Sequence, residues 1–200
     1  MSRPIKEFAD LLSQLPGIGP RQARRIVQYV LGKDQPYREQ FARSFEMIGK
    51  HIARCSSCFR YDDIPKGGVC PLCADEKRSA QTLVVVEKDV DIDGIENSRA
   101  YNGRYFVLGG LMAMARQRKH RAKPRTGKLI ERIEKNGIEE VILALSTTPE
   151  GDYTAKEILR ELQSKFPNLK ITLLGRGLSV GAEIEYADQE TIRNALKNRA

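Results

Sequence analysis

All four cysteines of the chain lie between positions 55 and 73, as C-S-S-C at 55–58 and C-P-L-C at 70–73, with eleven residues between the pairs. Each C-x2-C turn offers two thiolates on one side. Two such turns complete the tetrahedral set that zinc takes, with Zn–S bonds of about 2.3 Å. Cys55, Cys58, Cys70 and Cys73 are therefore the expected ligands of a zinc ion. They fill all four positions, so the expected role is structural rather than catalytic. Closing such a site couples to folding with about 10–16 kcal/mol of apparent binding energy at neutral pH. Free or disulfide-bonded cysteines are the alternative reading of the same residues.

A second set is acidic. Glu87 follows T-L-V-V-V, and Glu150 and Asp152 follow V-I-L-A-L. Parallel α/β sheets place their sites at strand ends, where three carboxylates can hold Mg²⁺ through oxygen. The competing reading is a loop of solvated acids at a helix N-terminus, where Asp152 is electrostatically favourable. A third set is L-P-G-I-G-P followed by arginines. Gly17 and Gly19 allow close backbone approach to a phosphate, and the helix opening at Pro20 presents free N–H groups and a positive dipole end. Arg21, Arg24 and Arg25 add charge there. An ordinary turn between helices is the alternative. A-E-I-E-Y-A-D (182–188) has the apolar-then-acid form of a Walker B element, but the chain holds no G-x4-G-K-[ST] loop. That argues against an autonomous ATPase.

The elements that must carry these sets change character along the chain. Ile5, Phe8, Leu12 and Leu15 recur at helical spacing, as do Ala23, Ile26, Val27 and Val30, and then Phe41, Phe45, Ile48 and Ile52. After Thr82 strands and helices alternate. T-L-V-V-V, V-I-L-A-L and K-I-T-L-L read as strands, Y-N-G-R-Y-F-V-L-G-G as a turn and then a strand, and D-V-D-I-D-G-I-E-N-S, T-G-K-L-I-E-R-I-E-K-N-G and T-A-K-E-I-L-R-E-L-Q-S-K-F as helices. Gly137 is the expected C-terminal stop of the second helix. Thr154 and Glu157 have capping-box spacing at the start of the third. D-Q-E-T-I-R-N-A-L-K-N-R closes the chain as a helix. Short β-branched strands separated by helices imply a mostly parallel sheet covered on both faces.

The expected fold class is α/β. A helical hairpin domain (1–53) precedes a small four-cysteine zinc module (54–78). A mostly parallel α/β domain (79–175) follows, with a C-terminal extension of Walker-B-like segment and helix (176–200). The 200 residues carry 34 Lys and Arg against 26 Asp and Glu, a net charge of +8. That balance favours a polyanionic partner, nucleic acid above all, with plain solubility as the alternative. The stretch 114–125 is rich in Lys and Arg and reads as a solvated loop or a DNA-contacting arm. No apolar run approaches a membrane span and no signal peptide is evident, so a cytoplasmic location is expected.

Taken together, the motifs resemble the RecR family of bacterial recombination mediators. L-P-G-I-G-P with its arginines is similar to a helix-hairpin-helix motif, which grips the DNA backbone without reading sequence. Glu87 with Glu150 and Asp152 resembles the acidic set of the Toprim domain of topoisomerases and primases. The paired C-x2-C turns, V-V-V-E-K-D-V-D-I-D-G-I-E, G-R-Y-F-V-L-G-G, V-I-L-A-L-S-T-T-P-E-G-D-Y-T-A and R-G-L-S-V-G-A-E-I-E-Y-A-D follow in the family's order over nearly the whole chain. The resemblance implies a non-enzymatic clamp on single- and double-stranded DNA, built as a homotetrameric ring through its N- and C-terminal regions. It implies RecO, and in some bacteria RecF, as partners in loading RecA onto single-stranded gaps during repair. It also implies that the Toprim acids serve as a partner-binding surface. From the residues alone a Mg²⁺-dependent, nuclease-like phosphoryl-transfer enzyme stays open, as does a scaffold whose acids bind a basic protein. Two departures stand out. The family's acidic, Gly-rich S-P-L-D-G-I-G-P-E-D-L stretch after L-G-G is replaced here by the basic 111–130, and N-P-T-x-E-G-E becomes S-T-T-P-E-G-D.

Overall fold

The structure, a computed structural model, describes residues 2–113, 124–178 and 180–197. Most of the basic stretch 114–125 lies outside the described residues; Pro124 and Arg125 are within them. The chain divides into two compact units, Met1–Ile52 and Ala53–Ala200.

The first unit is helical: α1 (Arg3–Leu12), α2 (Pro20–Leu31) and α3 (Gln35–His51). Prolines open all three, as expected where the first N–H has no helical partner. Ala9, Ala23 and Val27 are buried where α1 packs on α2. Asp34 caps α3 by accepting the Tyr37 N–H at 3.1 Å. No residue of α3 is buried in the single chain, although Phe41, Phe45 and Ile48 fall on one helical face.

The second unit begins with a hairpin of β1 (Ile52–Arg54) and β2 (Tyr61–Asp63), then the single turn α4 (Pro71–Ala74). The strands β3 (Thr82–Val86), β4 (Arg104–Val107), β5 (Glu140–Ala144) and β6 (Lys170–Leu173) form a parallel sheet in the order β4-β3-β5-β6. Between them run α5 (Asp89–Ser98), α6 (Thr126–Asn136) and α7 (Pro149–Lys165); a 3-10 turn (Ile184–Tyr186) and α8 (Gln189–Lys197) follow. Gly137 takes a left-handed φ of 60° and ends α6, as expected.

The run T-L-V-V-V is apolar at every position but the first because both faces of β3 are buried. Leu83 and Val85 join Phe106, Val141 and Leu143 under α6 and α7, while Val84 and Val86 join Tyr105, Val107 and Ile92 of α5. The cover expected on both faces is uneven. On the α5 side Ile142 and Ala144 of β5 are only half-buried, because among the described residues α5 packs there over β3 and β4. Two local expectations are also corrected. Helix α7 starts at Pro149, five residues before Thr154, because Thr148 is the N-cap and Pro149 suits the first turn. Ile184–Tyr186 forms an exposed 3-10 turn and not the strand that a Walker B element requires.

Candidate functional site

The four thiols converge. Their Sγ atoms all lie within 4.8 Å of one another, and Cys58 Sγ is 3.6 Å from Cys70 Sγ. A tetrahedron with 2.3 Å bonds has edges of about 3.8 Å, so the donor set fits one tetrahedral ion. Cys55, Cys58 and Cys70 are fully buried. Cys55 Sγ accepts the N–H groups of Ser57, Cys58 and Cys70 at 3.3–3.5 Å, which favours a thiolate there. Hydrogen bonds from Cys58, Cys70 and Cys73 also push the Cys55 thiol down. Four thiolates gathered here, three of them buried, would repel one another, and a dication bound among them would supply the balancing charge.

This knuckle is fastened to the sheet at an edge that would otherwise be open. The N–H of Val107 donates to Cys58 O at 2.8 Å, so the knuckle extends the outer side of β4. Arg104 of β4 donates to Leu72 O and Cys73 O at 3.0 and 2.6 Å. Phe59 takes a left-handed φ of 66°, and its ring packs edge-on to Phe106 at 5.3 Å. Beyond the cysteines, Arg78 and Tyr105 both donate to the Glu96 carboxylate of α5.

The acids sit where the topology places a site. The chain runs from β3 outward to β4, then crosses back to β5, so the C-terminal ends of β3 and β5 flank the sheet's switch point. Glu87 and Glu150 line one crevice of about 430 Å³ there, with Lys88, Gly110, Leu111, Ser146 and Thr148. Asp152 turns toward the C-terminal segment and accepts from Arg176 at 2.5 Å. Lys88 Nζ lies 3.3 Å from Glu87, whose side chain is 13% exposed. Among the described residues the cysteine quartet is the one group of three or more His, Cys, Asp or Glu placed to share an ion.

The close approach of α7 to the end of β5 explains the glycine in P-E-G-D. A Cβ on Gly151 would stand 1.9 Å from Ser146 O. Thr148 accepts the Gly151 N–H at 3.2 Å, and the buried Thr154 hydroxyl donates to Glu150 O at 2.7 Å while accepting the Met112 N–H at 2.9 Å. Sequence reasoning missed Lys88 and Arg176 as partners of the acids. Arg176 lies 24 residues from Asp152, and no local pattern signals the pair.

In the first unit, Gly17 takes φ of 79° and Ile18 N–H donates to Leu15 O at 3.1 Å, closing the turn between α1 and α2. Gly19 is the N-cap of α2, and a Cβ at either glycine would meet no atom within 4 Å, so this backbone lies open to solvent. The first turn of α2 contains no acid. Arg21, Arg24 and Arg25 are exposed, and among the described residues none is paired with a carboxylate. The turn and the first two turns of α2 thus gather free N–H groups and three cations, an arrangement suited to an anion.

A helical hairpin, a four-thiol knuckle and a parallel Toprim sheet in one chain define a modular Toprim-domain protein. The Toprim domain family matches residues 81–174, the family described as RecR, helix-hairpin-helix, matches 5–47, and RecR, C-terminal, matches 177–200. Recombination protein RecR of Porphyromonas gingivalis is 37% identical over 99% of this chain and 93% of its own length. Recombination protein RecR of Rhizorhabdus wittichii is 39% identical over 100% of the chain and 98% of its own length, and that of Pelagibacter ubique 38% over 98% and 93%. The chain belongs to the RecR family.

Proposed function

We propose that this protein is a non-enzymatic DNA-binding clamp and recombination mediator in DNA repair. The observation that carries the reading is the open turn at Gly17–Gly19 leading into the acid-free N-terminus of α2 with Arg21, Arg24 and Arg25. That surface suits phosphates of single- or double-stranded DNA, and a grip on the backbone makes binding sequence-independent and salt-sensitive. Kinship with proteins named for recombination supports the mediator role, in which the chain works with RecO, RecF or both to load RecA at gaps. Zinc is the metal assigned to Cys55, Cys58, Cys70 and Cys73, and its role is structural. The modules 1–53, 54–78, 79–175 and 176–200 act in turn as DNA grip, clasp, Toprim surface and ring-closing extension. The uncovered apolar face of α3 and the exposed Leu178, Val180 and Ile184 are the proposed self-association surfaces of a homotetrameric ring. The work is placed in the cytoplasm at the nucleoid; no described helix is long and apolar enough to cross a membrane.

Glu87, Glu150 and Asp152 are read as a partner-binding surface that can take Mg²⁺ but performs no strand chemistry. Pairing of Asp152 with Arg176 and of Glu87 with Lys88 supports this. Incubating the zinc-loaded protein with supercoiled plasmid and Mg²⁺, then electrophoresing before and after protease digestion, tests both halves. The expected result is a retarded band that returns to intact supercoiled DNA, and weaker retardation by the Arg21→Gln, Arg24→Gln variant. Nicked or relaxed DNA that disappears with Glu150→Gln would refute the non-enzymatic reading. Undiminished retardation by the arginine variant would refute the hairpin grip.

A further inference from the structure

A second basic site lies far along the chain from the hairpin, between the cysteine knuckle and α6. Lys128, Arg132 and Lys135 recur at i, i+4 and i+7, so they share one face of α6. They line a crevice of about 530 Å³ whose opposite wall includes Ser56 and Ser57 of the first C-x2-C turn. The single acid lining it, Glu131, is engaged by Lys128 at 2.9 and 3.0 Å. Among the described residues Arg132 and Lys135 have no acidic partner, and Arg132 Nε is buried with no hydrogen-bond acceptor. The hydroxyls of Ser56 and Ser57 are likewise unengaged among the described residues, while their backbone N–H groups are used by Gly68 O and Cys55 Sγ.

From this geometry we infer that the crevice binds the sugar-phosphate backbone of DNA, as a second contact point independent of the helical hairpin. Two cations without acidic partners among the described residues and two free hydroxyls ask for anionic oxygens. Phe59, the aromatic at the crevice, is packed against Phe106 with Arg125 over its ring, so it is not available to stack on a base. The contact therefore reads charge and spacing rather than sequence, and suits duplex as well as single strands. The knuckle supplies one wall, so the zinc module takes part in holding DNA as well as bracing the sheet edge. This inference rests on the proposal that the protein binds DNA.

The test is fluorescence anisotropy of a labelled mixed-sequence duplex with the full-length, zinc-loaded protein over a range of salt. Lys128→Gln, Lys135→Gln is compared with Arg21→Gln, Arg24→Gln and the wild type. Both lysines are exposed, and zinc content with circular dichroism verifies the fold of each variant. With Lys128 held by Glu131, losing the one phosphate contact at Lys135 should lower the log–log salt slope by about 0.9, which weakens binding roughly 8-fold near 0.1 M salt. Ser57→Ala should weaken binding without changing the slope, because it removes a hydrogen bond and no charge. An unchanged slope in the lysine variant, with a reduced slope in the arginine variant, would overturn the crevice assignment and leave the hairpin grip standing. Wild-type protein that fails to bind would overturn both. Inorganic phosphate that shifts the NMR signals of Lys128 and Lys135, while the lysine variant still binds DNA normally, would assign the crevice to free phosphate instead.

Discussion

Replacing Arg78 with Met tests how the tail of the cysteine module is locked to the sheet. Arg78 Nη1 donates to Glu96 Oε1 at 3.0 Å and to Gly103 O at 3.3 Å, Nη2 donates to Glu96 Oε2, and Tyr105 donates to Oε1 at 2.5 Å. The Arg78 and Glu96 side chains are 11% and 27% exposed. Removing one partner of a fully buried pair costs about 3–5 kcal/mol. Glu96 keeps its Tyr105 donor and some water, so about 2–3 kcal/mol is expected here. The pH dependence has a definite sign. Burial acts to raise the Glu96 pKa, but hydrogen bonds from Arg78 and Tyr105 and the Arg78 charge outweigh it, so the carboxyl lies below its ordinary 4.5. The stabilisation is then fully present above pH 4.5 and is lost as pH falls through the lower folded value. The gap between wild type and Arg78→Met should therefore narrow in acid. Any loss of metal from the cysteines in acid affects both proteins and largely cancels in this difference. The chain has no Trp, so urea unfolding is followed by far-UV circular dichroism. Adding Glu96→Gln and the double variant completes a cycle. A coupling below about 0.5 kcal/mol at neutral pH, or a gap that does not change on acidification, would refute the reasoning.

Two further outcomes follow from the sites. Cys70→Ser should drop bound zinc from one per chain toward none by colorimetric metal assay and lower the thermal midpoint, as chelation of the wild type should; full zinc occupancy in the variant would exclude the four-cysteine site. Gly151→Ala puts a Cβ 1.9 Å from Ser146 O, so the first turn of α7 must shift, and urea unfolding should show a loss of about 1–3 kcal/mol; unchanged stability would mean that this contact relaxes freely.

What the sequence reveals and what it hides follow from the range of the forces involved. The thiol quartet is legible because each C-x2-C turn fixes its own geometry, and the two turns close over only eleven intervening residues. Strand β3 is legible because burial on both faces demands an unbroken apolar run. The start of α7 is hidden in the sequence because Thr154 with Glu157 imitates a cap, while the Thr154 hydroxyl is occupied inside the helix by Glu150 O and the Met112 N–H. Long-range pairings leave no local mark. Arg176 and Asp152 meet because β6 lies beside β5, and the α6 cations face the knuckle because Cys58 O pairs with the β4 edge. Residues 128–135 alone spell an ordinary amphipathic helix with a charged face. Its apolar residues Leu129, Ile130 and Ile133 pack under the sheet and so fix which way Lys128, Arg132 and Lys135 must point. The same burial that hides the basic crevice from a sequence reader fixes the helix face that carries its cations, and a backbone set before DNA arrives loses less entropy on binding it.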